Sequence, residues 1–141
     1  MSDMSAITQA IIDLLKGDST LGLKEVYYGD QDGIPLTPSA TVELGNKDRA
    51  YNQTGLFTNL TPQFYIVVYH GLMANVQTIK KELDQFVQAV EDKLHEDNTL
   101  GGLVISGIVS SVEPGVAVVG KAQFYAHRIT WEAMIKERIG V

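Results

Sequence analysis

The chain contains no cysteine. That excludes a disulfide framework and any chemistry that runs through a thiolate, and it fits a reducing compartment. Basic residues are also scarce: 11 lysines and arginines face 17 aspartates and glutamates, for a formal net charge of −6. A protein that grips duplex DNA needs a basic face to displace counterions from the phosphates. Here Lys and Arg are scattered, and the one charge cluster, "EDKLHED" at 91–97, is acidic. Specific nucleic-acid binding is not expected. Long apolar runs are missing too. The opening "MSDMSAITQAIIDLL" carries Asp3 and Asp13 and has no basic flank, so neither a signal peptide nor a membrane span is expected. The two sequons, Asn52-Gln53-Thr54 and Asn59-Leu60-Thr61, then read as chance.

What is present is the composition of an ordinary globular protein, 45% hydrophobic and 20% charged over 141 residues. That length suits one domain spanning 1–141, with no linker and no internal repeat. Ile7, Ile11, Leu14 and Leu15 recur at helical spacing, with Ser5 as a candidate N-cap and Gly17 as a stop. A second, longer stripe runs through Val76, Ile79, Leu83, Phe86, Val87, Val90 and Leu94, with Asn75 as its candidate cap. The helix is expected to pack through Leu83, Phe86, Val87 and Val90. A single apolar stripe implies that this helix lies on something flat.

Strand signals supply the flat surface. "KEVYYG" (24–29) and "SATVELG" (39–45) are short, and "QFYIVVYHG" (63–71) is apolar on both parities, as in a central strand covered on both faces. "LVISGIVSSV" (103–112) and "AQFYAHRITWEAMIK" (122–136) come after the long helix. In the last, Tyr125, Ile129, Trp131, Ala133 and Ile135 share one face. Ala126, Arg128, Thr130, Glu132 and Lys136 share the other, which reads as wet. The fold expected is α+β: a largely antiparallel twisted sheet of about five strands, with two helices packed on one face.

One stretch suggests a nucleotide site. "PGVAVVGKA" (114–122) begins like a phosphate-binding loop, G-x-x-x-x-G-K-[ST]. In that motif the loop opens a helix whose N–H groups hold the phosphates. Here it leads into an alternating strand, and Ala122 replaces the hydroxyl that ligates magnesium. "SSVEPGVAVVGKA" instead reads as a hairpin turning near Pro114-Gly115. "DQDG" (30–33) opens like a calcium loop, but its twelfth position is Thr41 rather than Glu. Glu91 and His95 lie one helical turn apart without a visible third metal ligand. His127 falls on the apolar side of the last strand with no triad partners assignable, and His70 ends the central strand. No catalytic residue, cofactor site or metal site is expected, and the chain does not read as an enzyme.

Function is sought instead in "GNKDRAYNQTGLFTNLTP" (45–62), which is too long for a tight turn. Tyr51, Leu56, Phe57 and Leu60 are large side chains in a mainly polar stretch. They belong either to a loop folded over a sheet edge or to an extended loop or hairpin arm near 46–61 that reaches a neighbouring subunit.

The arrangement resembles the tail terminator, or tail-completion, proteins of long-tailed bacteriophages. The resemblance rests on soft patterns over most of the chain: "ITQAIIDLLKGDSTL" followed by "VYYGD", "LTPSATVELGNKDR", the excursion around "YNQTG", "FYIVVYHG", "VQTIKKELDQFVQAVEDKL" and the closing "HRITWEAMI". It implies a structural virion protein, assembled in the host cytoplasm, that forms a hexameric ring. Such a ring caps the tail tube, stops its polymerisation and offers a docking surface to a head-completion or neck protein. DNA passes through the lumen without specific binding, which an acidic wall suits. No membrane is involved. The expected subunit or tube interface comprises Tyr51, Asn52, Leu56, Phe57 and Leu60, with Arg128 and Glu132 on the wet face of the last strand. The alternatives are another head-tail connector or head-completion ring protein and, more distantly, a small nucleotide-binding enzyme.

Overall fold

The computed structural model describes residues 4–29, 31, 38–51, 57–71, 76–120 and 122–138, with the backbone path alone at 49–51, 57–58, 71, 76–80, 122 and 136–138. In chain order it contains α1 (Met4–Lys16), a 3-10 turn at Ser19–Leu21, β1 (Glu25–Tyr28), β2 (Ser39–Tyr51), β3 (Phe57–Gly71), α2 (Val76–Glu96), β4 (Ser106–Val119) and β5 (Ala122–Arg138).

The first helix ends where glycine allows. The Gly17 amide closes the last turn on the Asp13 carbonyl at 2.9 Å. Asp18 then caps the 3-10 turn by accepting the Thr20 amide, and Gly22, at φ 76, reverses the chain into β1. On the buried face of α1, Thr8 satisfies its hydroxyl on the Met4 carbonyl at 2.9 Å, so a polar residue is tolerated there.

The strands form one sheet in the order β1-β2-β3-β5-β4. It is mixed. β2–β3, β3–β5 and β4–β5 are antiparallel, whereas β1 runs parallel to β2, with Glu25 beside Ser39 and Tyr28 beside Val42. Sequence order alone favours a hairpin for β1 and β2. The stretch between them is longer than a tight turn and returns the chain to the start of β1, which makes the pair parallel.

Register puts Val42, Ile66 and Ile129 in one row across the sheet. These residues belong to one buried cluster with Ile7, Ile11, Ile12 and Leu15 of α1 and Leu83, Val87, Val90 and Leu94 of α2. Both helices therefore cover the same face, as the lone stripe of α2 predicts. Phe86 is not central to that stripe. It is half-buried at the margin, set edge-on to His70 with 6.1 Å between ring centroids.

Two strands run further than their apolar patterns suggest. β4 continues through Pro114 and Gly115, and the reversal falls at Gly120, φ 62. Proline is tolerated because β4 is an edge strand, where one missing N–H need break no ladder bond. The chain leaves this reversal as β5 and not as a helix, so the glycine–lysine spacing lacks the helix N-terminus that would hold a phosphate. Lys121 itself lies outside the described residues, as do Asn75 and most of "DQDG".

Candidate assembly surface

The 46–61 region is built largely as paired strand. β2 and β3 stay in register from Lys47↔Pro62 to Tyr51↔Thr58, and β5 flanks β3 from Phe57↔Arg138 to Leu60↔Ile135. The ladder shifts between Leu44 and Lys47, where two β2 residues, Gly45 and Asn46, face one on β3. Such a bulge increases local twist and re-aims the strand beyond it. Gly45 has a second role. A Cβ there would lie 2.5 Å from the Tyr65 ring, so glycine lets that ring settle on the β2 backbone.

The expected interface residues separate into distinct environments. Leu60 is core: it is 1% exposed and clusters with Phe64, Trp131 and Ile135. This corrects its placement among displayed side chains, because β5 continues alongside β3 and α2's face of the sheet closes over it. Tyr51 and Phe57 occupy the last described positions of β2 and the first of β3, and Asn52 and Leu56 lie outside the described residues.

Arg128 and Glu132 lie on the face of the sheet away from the helices. That face is less wet than alternation alone suggests. Phe124 and Ala126 bury there with Tyr69, backed by Tyr27, Val67, Ala117 and Val119. Thr130 is also buried. Arg128 is held from two sides. Its guanidinium carbon sits 4.8 Å from the centroid of the Tyr65 ring, and its Nη2 donates to Glu113 Oε2 at 3.1 Å. Arg128 is paired in register with Glu113 of β4 and reaches diagonally across to Tyr65 of β3, whose ring lies against Gly45 of β2. These contacts fix an arginine and an aromatic ring in defined positions on a surface, the side-chain types that most often anchor interfaces.

Glu132 stands next to a shallow depression of about 360 Å³ that it lines with Thr61, Asn98, Ser106, Ile108 and Met134. Ile108 and Met134 are 60% and 46% exposed. Sequence reasoning missed Tyr65, Glu113, Ile108 and Met134. Their signal lies in the odd positions of β3 and in cross-strand register, which one strand read alone does not reveal.

The histidines on the helix face are structural. His70 Nε2 lies 3.0 Å from Glu82, and His127 Nε2 lies 3.4 Å from Asp84, so each joins the sheet to α2. Burial holds the His127 imidazole below its ordinary pKa, and the Asp84 carboxylate opposes that shift only in part. A groove of about 460 Å³ runs beside this pair, between Leu83 and Asp84 of α2 and Pro114, Val116, Tyr125 and His127 of the sheet. His95 accepts the Val109 amide at 3.3 Å. Among the described residues no cluster of His, Cys, Asp or Glu has the geometry of a metal site, and no helix is long and apolar enough to cross a membrane.

No family model matches the chain, and no curated protein matches its sequence. Among solved structures it is similar to a chain of the virion of a native gene transfer agent particle. That chain is 21% identical, with a TM-score of 0.58, over 92% of this chain and 93% of the other. At that identity the likeness is one of fold, and it extends over nearly the full length of both chains.

Proposed function

We propose that this chain is a structural virion protein that forms a hexameric ring on the end of a tail tube, stops tube growth and presents a docking surface to the head or neck. The observation that carries the proposal is the near full-length fold likeness to a chain of a gene transfer agent virion. Two features of the surface support it. The β2–β3 ladder, flanked by β5, projects past the start of β4, which begins opposite Met134. The open face carries an ordered arginine, an aromatic ring and exposed apolar side chains at Ile108 and Met134.

In this reading the arm from Lys47 to Asn59 contacts an adjacent subunit or the last ring of the tube, with Tyr51 and Phe57 as anchors. Arg128 and Glu132 contribute from the open face. The acidic balance of the chain suits a lumen through which DNA slides without being held. The role needs neither catalysis nor a cofactor. The virion is its destination.

The experiment is electron microscopy of the purified protein, alone and with tail tube protein. The proposal expects hollow rings and capped tubes. A protein that leaves tubes uncapped but binds a head portal would instead be a head-completion ring.

A further inference from the structure

The two margins of the sheet are built differently. β1 is the short one, with four residues. Glu25 turns its carboxylate back onto the Val26 amide at 3.2 Å, and Lys16 lies 3.1 Å from that same carboxylate. Where β2 runs past β1, it carries Glu43, Lys47 and Asp48. Short length and charge are the ordinary means of keeping a strand edge from pairing with another chain.

β4 has much less of this protection. It runs for 14 residues and, among the described residues, pairs only with β5. Its first part is covered, because His95 of α2 takes the Val109 amide. From Ser111 to Val119 the single ionisable residue is Glu113, and Arg128 of the same sheet holds it at 3.1 Å. Val116 and Val118 are 60% and 65% exposed. Pro114 removes one donor and leaves the remaining amides of the edge.

The choice of partner comes from charge and symmetry. Two copies of a chain with net charge −6 repel, so they approach most easily through a neutral patch. Ser111–Val119 is such a patch once Glu113 is paired. A basic partner strand would find no free carboxylate on it. An antiparallel two-fold contact sets the same apolar side chains against each other, since residue i meets j and j meets i. A contact of β4 with β1 of another copy would press the open edge against the guarded one.

We infer that the β4 edge from Ser111 to Val119 pairs antiparallel with the same segment of a second copy, giving one sheet continuous across a two-fold axis. This contact is separate from the ring, and each can stand without the other.

Sedimentation velocity over rising protein concentration tests it, together with hydrogen exchange on the unaltered protein. Below the concentration at which rings form, the expected result is a reversible monomer–dimer shift in which amides in 111–119 slow as the dimer fills, while those of 25–28 do not. Replacing Val116→Lys and Val118→Lys together should raise the dimer Kd by about tenfold or more. The helical circular dichroism should persist, since both side chains are exposed. Tyr28→Lys, on the other margin, should leave the dimer intact. A monomer at every concentration overturns the inference, as does a dimer that keeps its affinity with both lysines and leaves 111–119 exchanging freely. Hexamers that survive both lysines without protection at 111–119 also overturn it, and leave the ring reading standing.

Discussion

At the scale of single residues, the tightest constraint is Gly107 beneath Trp131. Trp131 is fully buried and tilted against Phe64 at 6.0 Å. A Cβ on Gly107 would lie 1.9 Å from its ring, closer than any relaxation of one side chain relieves. Gly107→Ala should therefore cost about 1–3 kcal/mol or more through overpacking. Urea unfolding followed by tryptophan fluorescence measures this directly, and an unchanged midpoint would show that the ring is not seated there. His127 gives a second test at this scale. Its folded-state pKa lies below the ordinary 6.5 because burial disfavours the charged ring. The unfolded chain thus binds the proton first as pH falls, and stability declines from about pH 6.5 downward, through the lower folded-state pKa. His127→Gln should flatten that part of the stability profile relative to the unaltered protein, while leaving the profile above pH 7 parallel to it. An identical slope in both proteins would contradict the assignment.

At the scale of elements, α2 shows what periodicity reveals and what it misses. Leu83, Val87, Val90 and Leu94 are buried, as their spacing requires. Phe86 shares their stripe in sequence yet sits at its margin, over the groove between the helix and the first turn, which Leu21, Glu82 and Ala89 also line. Leu94→Ala should cost about 2–5 kcal/mol, and Phe86→Ala clearly less. A larger loss at Phe86 in chemical denaturation would reverse that order. The sheet was legible where one face is apolar and the other is not, hence the core rows of β3 and β5. It was not legible where pairing is carried by backbone bonds between polar residues. Lys47, Asp48 and Asn59 carry no apolar alternation, yet they lie in the ladder. Pro114-Gly115 has the composition of a turn, but an edge position tolerates both. The parallel β1–β2 pair depends on the path of a connection, which no local pattern encodes. The Tyr65–Arg128–Glu113 contacts were invisible for a similar reason, since they join residues of three strands, one pair in register and the other on the diagonal. The arm makes a further prediction. Tyr51→Ala with Phe57→Ala should leave stability within about 1 kcal/mol, as surface changes usually do, and abolish ring formation. Unfolding of that variant would return both side chains to the core.

At the scale of the whole molecule, the protein divides into a helix-covered face that holds the main buried cluster and an open face that carries Arg128, Tyr65 and the exposed Ile108 and Met134. Core residues from both helices and every strand except β4 lie in the same fully buried cluster. Val109 and Val112 of β4 pack against that cluster while Ile108 of the same strand stays exposed. In the proposed ring, the buried face would hold each copy rigid while its other surfaces meet neighbours and tube. The measurement that tests this most directly is negative-stain electron microscopy of tube protein polymerised with and without the chain. Hollow six-fold rings seated on tube ends and an arrest of growth once the chain is added are the expected result. Tubes that keep lengthening with bare ends, beside a chain that stays monomeric, would contradict it.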